Sequence, residues 1–133
     1  MLLVDSNVIL DVLCDDPTWA QWSRDQLRAR SLVHPLAING VVYAEVSVAF
    51  NSMANLDKAM DALGLRVLEI PRPALFLAGK AFVQYRRRGG VKQSILADFM
   101  VGAHAAVAGV PVLTRDGQRY RSYFPTVEVI SPD

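Results

Sequence analysis

LLVDSNV, residues 2–8, sets an acid between two apolar runs. Leu2 to Val4 has the short, continuously apolar character of a strand buried on both faces, and Asp5 stands at its mouth. A charge there needs a reason, because an unpaired carboxylate at the edge of a core is costly. Working outward, the same kind of strand recurs as HPLAI (34–38), RVLEI (66–70), VPVLT (110–114) and TVEVI (126–130). Between them lie helical stretches at 7–14, 18–30, about 40–50, 55–64, 74–88 and 94–108, with a short turn or helix after Asp116. Asn7 is placed to cap the first of these helices and Asn39 the third. Gly64, Gly89-Gly90 and Gly109 mark helix ends. Strands that alternate with helices and lack polar alternation specify an α/β fold, with a mostly parallel sheet of about five strands flanked by helices.

The bulk numbers set the limits. At 133 residues the chain is the size of one domain, taken as 1–133. It is 52% hydrophobic with a mean hydropathy of +0.22, which excludes a disordered chain. Fourteen Lys and Arg against 13 Asp and Glu leave a net charge of +1, so any nucleic-acid surface must be local. A single cysteine, Cys14, allows no internal disulfide and fits a reducing compartment. The apolar start is broken by Asp5 and Asp11 and has no basic flank, unlike a signal peptide. No run approaches a membrane span, so the expectation is a cytoplasmic protein with no membrane partner.

Four acids carry the chemistry. In an open parallel sheet, ligands bind beyond the carboxyl ends of the strands. Asp5 ends the first strand and Asp116 follows the fourth. Glu45 has Val41, Val42, Val48 and Ala49 as its neighbours three and four positions away, which places it on an apolar helix face. Asp98 has Ser94, Ile95, Val101 and Gly102 in those positions. If the four converge, their mutual repulsion demands a counter-charge. All-oxygen ligation selects a hard divalent ion, Mg²⁺ or Mn²⁺, and neither Cys14 nor His34 and His104 has zinc-ligand spacing. His104, six residues after Asp98, points to a different side of its helix and serves packing or faces solvent.

In order along the chain, LLVDSNVIL, NGVVYAEV, GGVKQSILADFMVGAHA and GVPVLTRDGQRYRSYFP resemble the four motifs of the PIN-domain ribonucleases, in particular the VapC-type toxins of bacterial toxin–antitoxin pairs. The resemblance covers essentially the whole chain, with Ser6 where the family often has Thr. It implies a PIN-like fold and a Mg²⁺- or Mn²⁺-dependent endoribonuclease in which Asp5, Glu45 and Asp98 hold metal and Asp116 supports them. Ser6 and Thr114 then hydrogen-bond the carboxylates or a metal-bound water. Arg86, Arg87, Arg88, Lys92 and Arg115 are the candidates for contact with RNA phosphates. Trp19 and Trp22, three apart, are candidates for a groove wall, though this spacing more often serves packing.

The resemblance also implies a VapB-like antitoxin as partner, and a homodimer, or a heterotetramer or larger assembly with antitoxin. The alternatives are a PIN-fold RNA-processing nuclease outside such a pair, an inactive PIN binding module, and a phosphatase of the haloacid-dehalogenase kind. The phosphatase wants an acid two positions after its nucleophile, where this chain has Asn7. An inert binding module has no use for a full set of four acids.

Overall fold

The computed structural model describes residues 1–133. Leu2–Val4 (β1), Leu36–Asn39 (β2), Leu65–Leu68 (β3), Val112–Leu113 (β4) and Val129–Ile130 (β5) form one sheet. Its order is β3-β2-β1-β4-β5, and all four neighbouring pairs are parallel. The expected sheet is therefore present, and wholly parallel. Ser6–Leu13 (α1) and Ala20–Ser31 (α2) connect β1 to β2; Gly40–Ser47 (α3) and Met53–Ala62 (α4) connect β2 to β3. Arg72–Arg87 (α5) and Ile95–Ala108 (α6) carry the chain across to β4, and Gln118–Tyr123 (α7) precedes β5.

The position of β1 explains its composition. It is the central strand, paired with β2 on one side and β4 on the other, and its three side chains are at most 1% exposed. Each such burial stabilises the fold by about 1.5–3 kcal/mol. From β1 the chain first builds outward through β2 and β3, then returns to add β4 and β5 on the opposite side. The order reverses between β1 and β4, which is where a crevice opens in such sheets. Asp5 and Thr114 follow directly on those two strands.

Several boundaries differ from the sequence reading. The last two strands shrink to two residues each because β4 and β5 pair over only two positions. The third strand begins at Leu65, ahead of the expected start, since its register with β2 runs from Leu36–Leu65 to Asn39–Leu68. The first helix is capped by Asp5, whose Oδ1 accepts from Ser6 N at 2.7 Å, and not by Asn7. The cap at Asn39 is as expected, its side chain accepting from Val41 N and Val42 N.

Helix α6 packs closely because of Gly102. A Cβ there would overlap the ring of Phe124 and press on Tyr120. Phe99 on the same helix stands 4.8 Å from Tyr123 and 5.8 Å from Phe124, centroid to centroid. This aromatic cluster seats α7 against α6. Gly102→Ala is expected to destabilise the protein by about 1–3 kcal/mol through overpacking. Gly79→Ala on α5, where a Cβ meets nothing within 4 Å, is expected to stabilise by about 0.5–1 kcal/mol. Urea unfolding of both variants checks the contrast; equal midpoints would contradict the packing.

Candidate active site

Asp5 is 5% exposed at the end of the central strand. Its Oδ2 accepts from Thr114 Oγ1 at 2.9 Å and from the Tyr120 hydroxyl at 2.8 Å. Burial pushes its pKa above the usual carboxylate value, while Tyr120, Thr114 and Ser6 hydrogen bonds pull the other way. The same cluster drives the Tyr120 hydroxyl well above its ordinary pKa, first through burial and then through the charges of Asp5, Asp98 and Glu45. Tyr120 is thus a neutral donor held beneath a set of acids.

The other acids share this field. Glu45, on α3, is raised by burial first and then by Asp5 and Asp98, against a Ser6 hydrogen bond. Asp98, in the first turn of α6, is raised by burial, then Asp5, then Asp116; Arg119 opposes this with its charge and a hydrogen bond. Asp116 is exposed and follows Thr114, whose Oγ1 accepts from Asp116 N at 3.1 Å. Asp5, Glu45 and Asp98 therefore lie within reach of one another's charge, and Asp116 reaches Asp98. No three His, Cys, Asp or Glu side chains converge closely enough to hold an ion as they stand. The donor chemistry nevertheless fits a hard divalent ion: carboxylates only, in mutual repulsion, with no thiol or imidazole among them.

The setting of Glu45 corrects one expectation. The buried face of α3 is Val42 and Val46, while Val41 is half-buried, Ala49 is exposed and Val48 is 87% exposed. Of the apolar neighbours of Glu45, only Val42 belongs to the core; the others lie at the surface. Val41 and Ala44 line a groove of about 670 Å³ with Leu68, Ile70, Leu75 and Met100. The α3 segment is tied to α6 by Asn39, whose Nδ2 donates to His104 Nδ1 at 3.2 Å. Accepting there leaves His104 unprotonated at Nδ1, and burial lowers its pKa. His104 thus packs inside, aligning the helices that carry Glu45 and Asp98.

Two functional features escaped the sequence reading. The first is Asp11, one turn after Asn7 on α1 and 2% exposed. It takes both arms of the Arg115 guanidinium at 2.9 Å and the Ser23 hydroxyl at 2.8 Å. Asn7 Oδ1 meanwhile accepts from Arg115 N at 3.1 Å, and its Nδ2 donates to Thr114 Oγ1 at 3.3 Å. Asn7 and Asp11 together latch the loop that presents Thr114 and Asp116. Arg115 is thereby committed to the protein's own acid, with Trp19 under its guanidinium at 5.6 Å, and a phosphate role for it is not carried forward. Trp19 meets Trp22 edge-on at 6.2 Å, and Trp22 packs on the core. Asp11 carried the same signal as Asp5, an acid between apolar runs.

The second is Arg119, which pairs with Asp98 through Nη1. Nothing in the sequence marks it, since the two are 21 residues apart and on different helices. The arginines before Asp98 sit on aromatic faces, Arg86 over Phe82 at 5.6 Å and Arg88 over Tyr123 at 5.0 Å. Arg87 and Lys92 are exposed, Lys92 N donating to the Tyr85 hydroxyl at 3.0 Å.

Known proteins share this framework. VapBC2 from Rickettsia felis, bound to a DNA fragment from its promoter, is similar with a TM-score of 0.75 and 14% identity, over 99% of this chain and 98% of that chain. FitAcB from Neisseria gonorrhoeae is similar at 0.70 and 19%, over 99% and 98%. VapC20 of Mycobacterium tuberculosis, described as a sarcin-ricin loop cleaving toxin, is similar at 0.63 and 16%, over 96% and 99%. No curated protein sequence matches the chain. The family model for the PIN domain matches residues 2–124, nearly the full length, and the chain belongs to the PIN domain family.

Proposed function

We propose that the protein is a Mg²⁺- or Mn²⁺-dependent endoribonuclease that acts as the toxin of a type II toxin–antitoxin pair. PIN domain proteins are nucleases and generally use divalent metal ions. The observation that carries the proposal is the gathering of Asp5, Glu45, Asp98 and Asp116 at the β1–β4 reversal, each of the three partly or fully buried acids made less acidic by burial. Asp5, Glu45 and Asp98 would hold the ion, with Asp116 assisting at the exposed rim. When bound, the ion supplies an activated water and offsets charge on the phosphoryl oxygens. Thr114, Tyr120 and the Ser6 backbone N–H hold the Asp5 carboxylate in one orientation. In the metal-free protein, burial and the charges of Asp5, Asp98 and Glu45 keep the Tyr120 hydroxyl protonated as a donor.

The toxin reading draws support from solved neighbours that include a toxin–antitoxin complex from Klebsiella pneumoniae and from exposed apolar surface. Phe76 is 68% exposed on α5, beside Leu75 at the groove of about 670 Å³. A cognate VapB-like antitoxin, a second copy, or both would cover such a surface. No helix is long and apolar enough to cross a membrane. The phosphatase alternative falls with the family assignment; the RNA-processing alternative differs only in lacking an antitoxin, and co-purification with a small DNA-binding partner separates the two.

Purified protein freed of antitoxin is expected to cleave RNA with Mg²⁺ or Mn²⁺ and to stop in EDTA. Asp5→Asn and Asp98→Asn should each lower cleavage by at least about 100-fold, with circular dichroism unchanged; wild-type rates in both would refute the site.

Stability gives an independent check. A carboxyl whose pKa rises on folding binds its proton more tightly when folded, so its charge costs stability above that pKa and the cost fades as pH falls. Asp5, Glu45 and Asp98 all act in this sense. Asp16 and Asp133 are shifted downward by hydrogen bonds and act oppositely, but only at lower pH. His104, buried with a lowered pKa, also acts oppositely, and does so as pH falls below the ordinary histidine value, so the acids are read from a variant compared with the wild type in EDTA and not from the raw profile. Glu45→Gln should raise Tm near neutral pH, with the gain fading as pH approaches the ordinary carboxylate range. A Glu45→Gln protein with a Tm no higher than the wild type's at neutral pH in EDTA would contradict a self-repelling cluster.

A further inference from the structure

Arg119 already supplies the acid cluster with a cation. Its guanidinium pairs with Asp98, and both side chains remain about one-third exposed. The backbone beneath it is fixed, because the next residue, Tyr120, is buried and bonded to Asp5, and Phe124 packs against Gly102. The side chain itself is long and reaches solvent. It also lines a cleft of about 320 Å³ with Asp116, Gln118, Ser122 and Tyr123. Arg88 lies over the ring of that same Tyr123, which puts a second guanidinium at the rim.

These positions conflict with a divalent ion on Asp98. A guanidinium and a doubly charged cation sharing one carboxylate repel each other at contact distance, where charge–charge energies are largest. No three acids stand at ion-holding distance while Arg119 occupies Asp98. A released Arg119 can turn into the cleft it already lines beside Asp116. A planar guanidinium there matches the paired oxygens of a phosphodiester.

Resting on the nuclease reading above, we propose that Arg119 is a positioning residue that gives up Asp98 to the divalent ion and moves to a phosphate of the RNA strand lying in the Gln118–Tyr123 cleft. In the metal-free protein it keeps Asp98 compensated. In the loaded protein it helps to hold the strand. The rival arrangement is a permanent Arg119–Asp98 pair with the ion on the remaining acids.

The test is Arg119→Gln, with Arg119→Lys as a second variant that keeps charge without the fork. Mn²⁺ binding is measured by titration calorimetry without RNA, and KM and kcat for a single-stranded oligoribonucleotide at saturating Mn²⁺. Removing the competing cation should tighten Mn²⁺ binding by about threefold to fivefold, the scale of a partly exposed ion pair. KM should rise by about tenfold, the scale of one charge-assisted phosphate contact, with kcat changing less. Arg119→Lys should bind Mn²⁺ like the wild type and show an intermediate KM. Unchanged or weaker Mn²⁺ binding in Arg119→Gln overturns the proposal, and so does an unchanged KM. Circular dichroism and Tm of both variants report folding; if Gln unfolds the protein, a wild-type KM in Arg119→Lys overturns it. A wild-type protein that binds Mn²⁺ and cleaves RNA while the variant matches it defeats this inference alone. A wild-type protein that binds no Mn²⁺ defeats the nuclease reading with it.

Discussion

Asp5 keeps a carboxylate at the end of a strand whose other residues are sealed from water, and the hydrogen bonds to that carboxylate tie the site together. Ser6 N reaches it from the start of α1, Thr114 from the end of β4, and Tyr120 from α7. The last two contacts span 109 and 115 residues, so the first strand and the last third of the chain meet at one side chain. A buried carboxylate without such partners would cost several kcal/mol or take up a proton. With three donors it stays oriented at the reversal of the sheet, where the crevice is.

Around that anchor the protein separates two kinds of arginine. Arg115 is locked, its fork filled by buried Asp11 and its backbone held by Asn7, and the result is a fixed loop. Arg119 is held by one partly exposed acid and can exchange partners without unpacking anything. Removing Asp11 would leave Arg115 half-buried and unpaired, whereas removing Asp98 would leave Arg119 at the surface. The asymmetry also bears on the acids. Asp98 has a cation beside it and Glu45 has none, so Glu45 reports the repulsion within the cluster more cleanly than Asp98 does.

How much of this was legible in the sequence follows from the range of each interaction. The parallel sheet was readable because β1, β2 and β4 are buried on both faces and so carry unbroken apolar runs. The four acids were readable because each interrupts an apolar pattern or ends a strand. Boundaries failed where tertiary pairing decides them: β3 starts at Leu65 because its register with Leu36 says so. The cap of α1 went to Asp5, a residue the sequence reading had reserved for chemistry alone, and Asn7 was freed to hold the distant loop. Glu45 was placed on a core stripe because its apolar neighbours were taken as buried, whereas only Val42 is: Val41 lines a groove and Val48 and Ala49 are exposed. Arg119 and Asp98 meet only through the packing of α7 on α6, which rests on the missing side chain of Gly102. No local pattern encodes a contact of that kind.

The central claim is that these acids form one site for a divalent ion. Crystals of the protein soaked in Mn²⁺ and measured at the manganese absorption edge test it most directly. An anomalous peak is expected among the carboxylates of Asp5, Glu45 and Asp98, with the Arg119 guanidinium withdrawn from Asp98. A peak elsewhere, or none at the end of β1 at a Mn²⁺ concentration that supports cleavage, would contradict it.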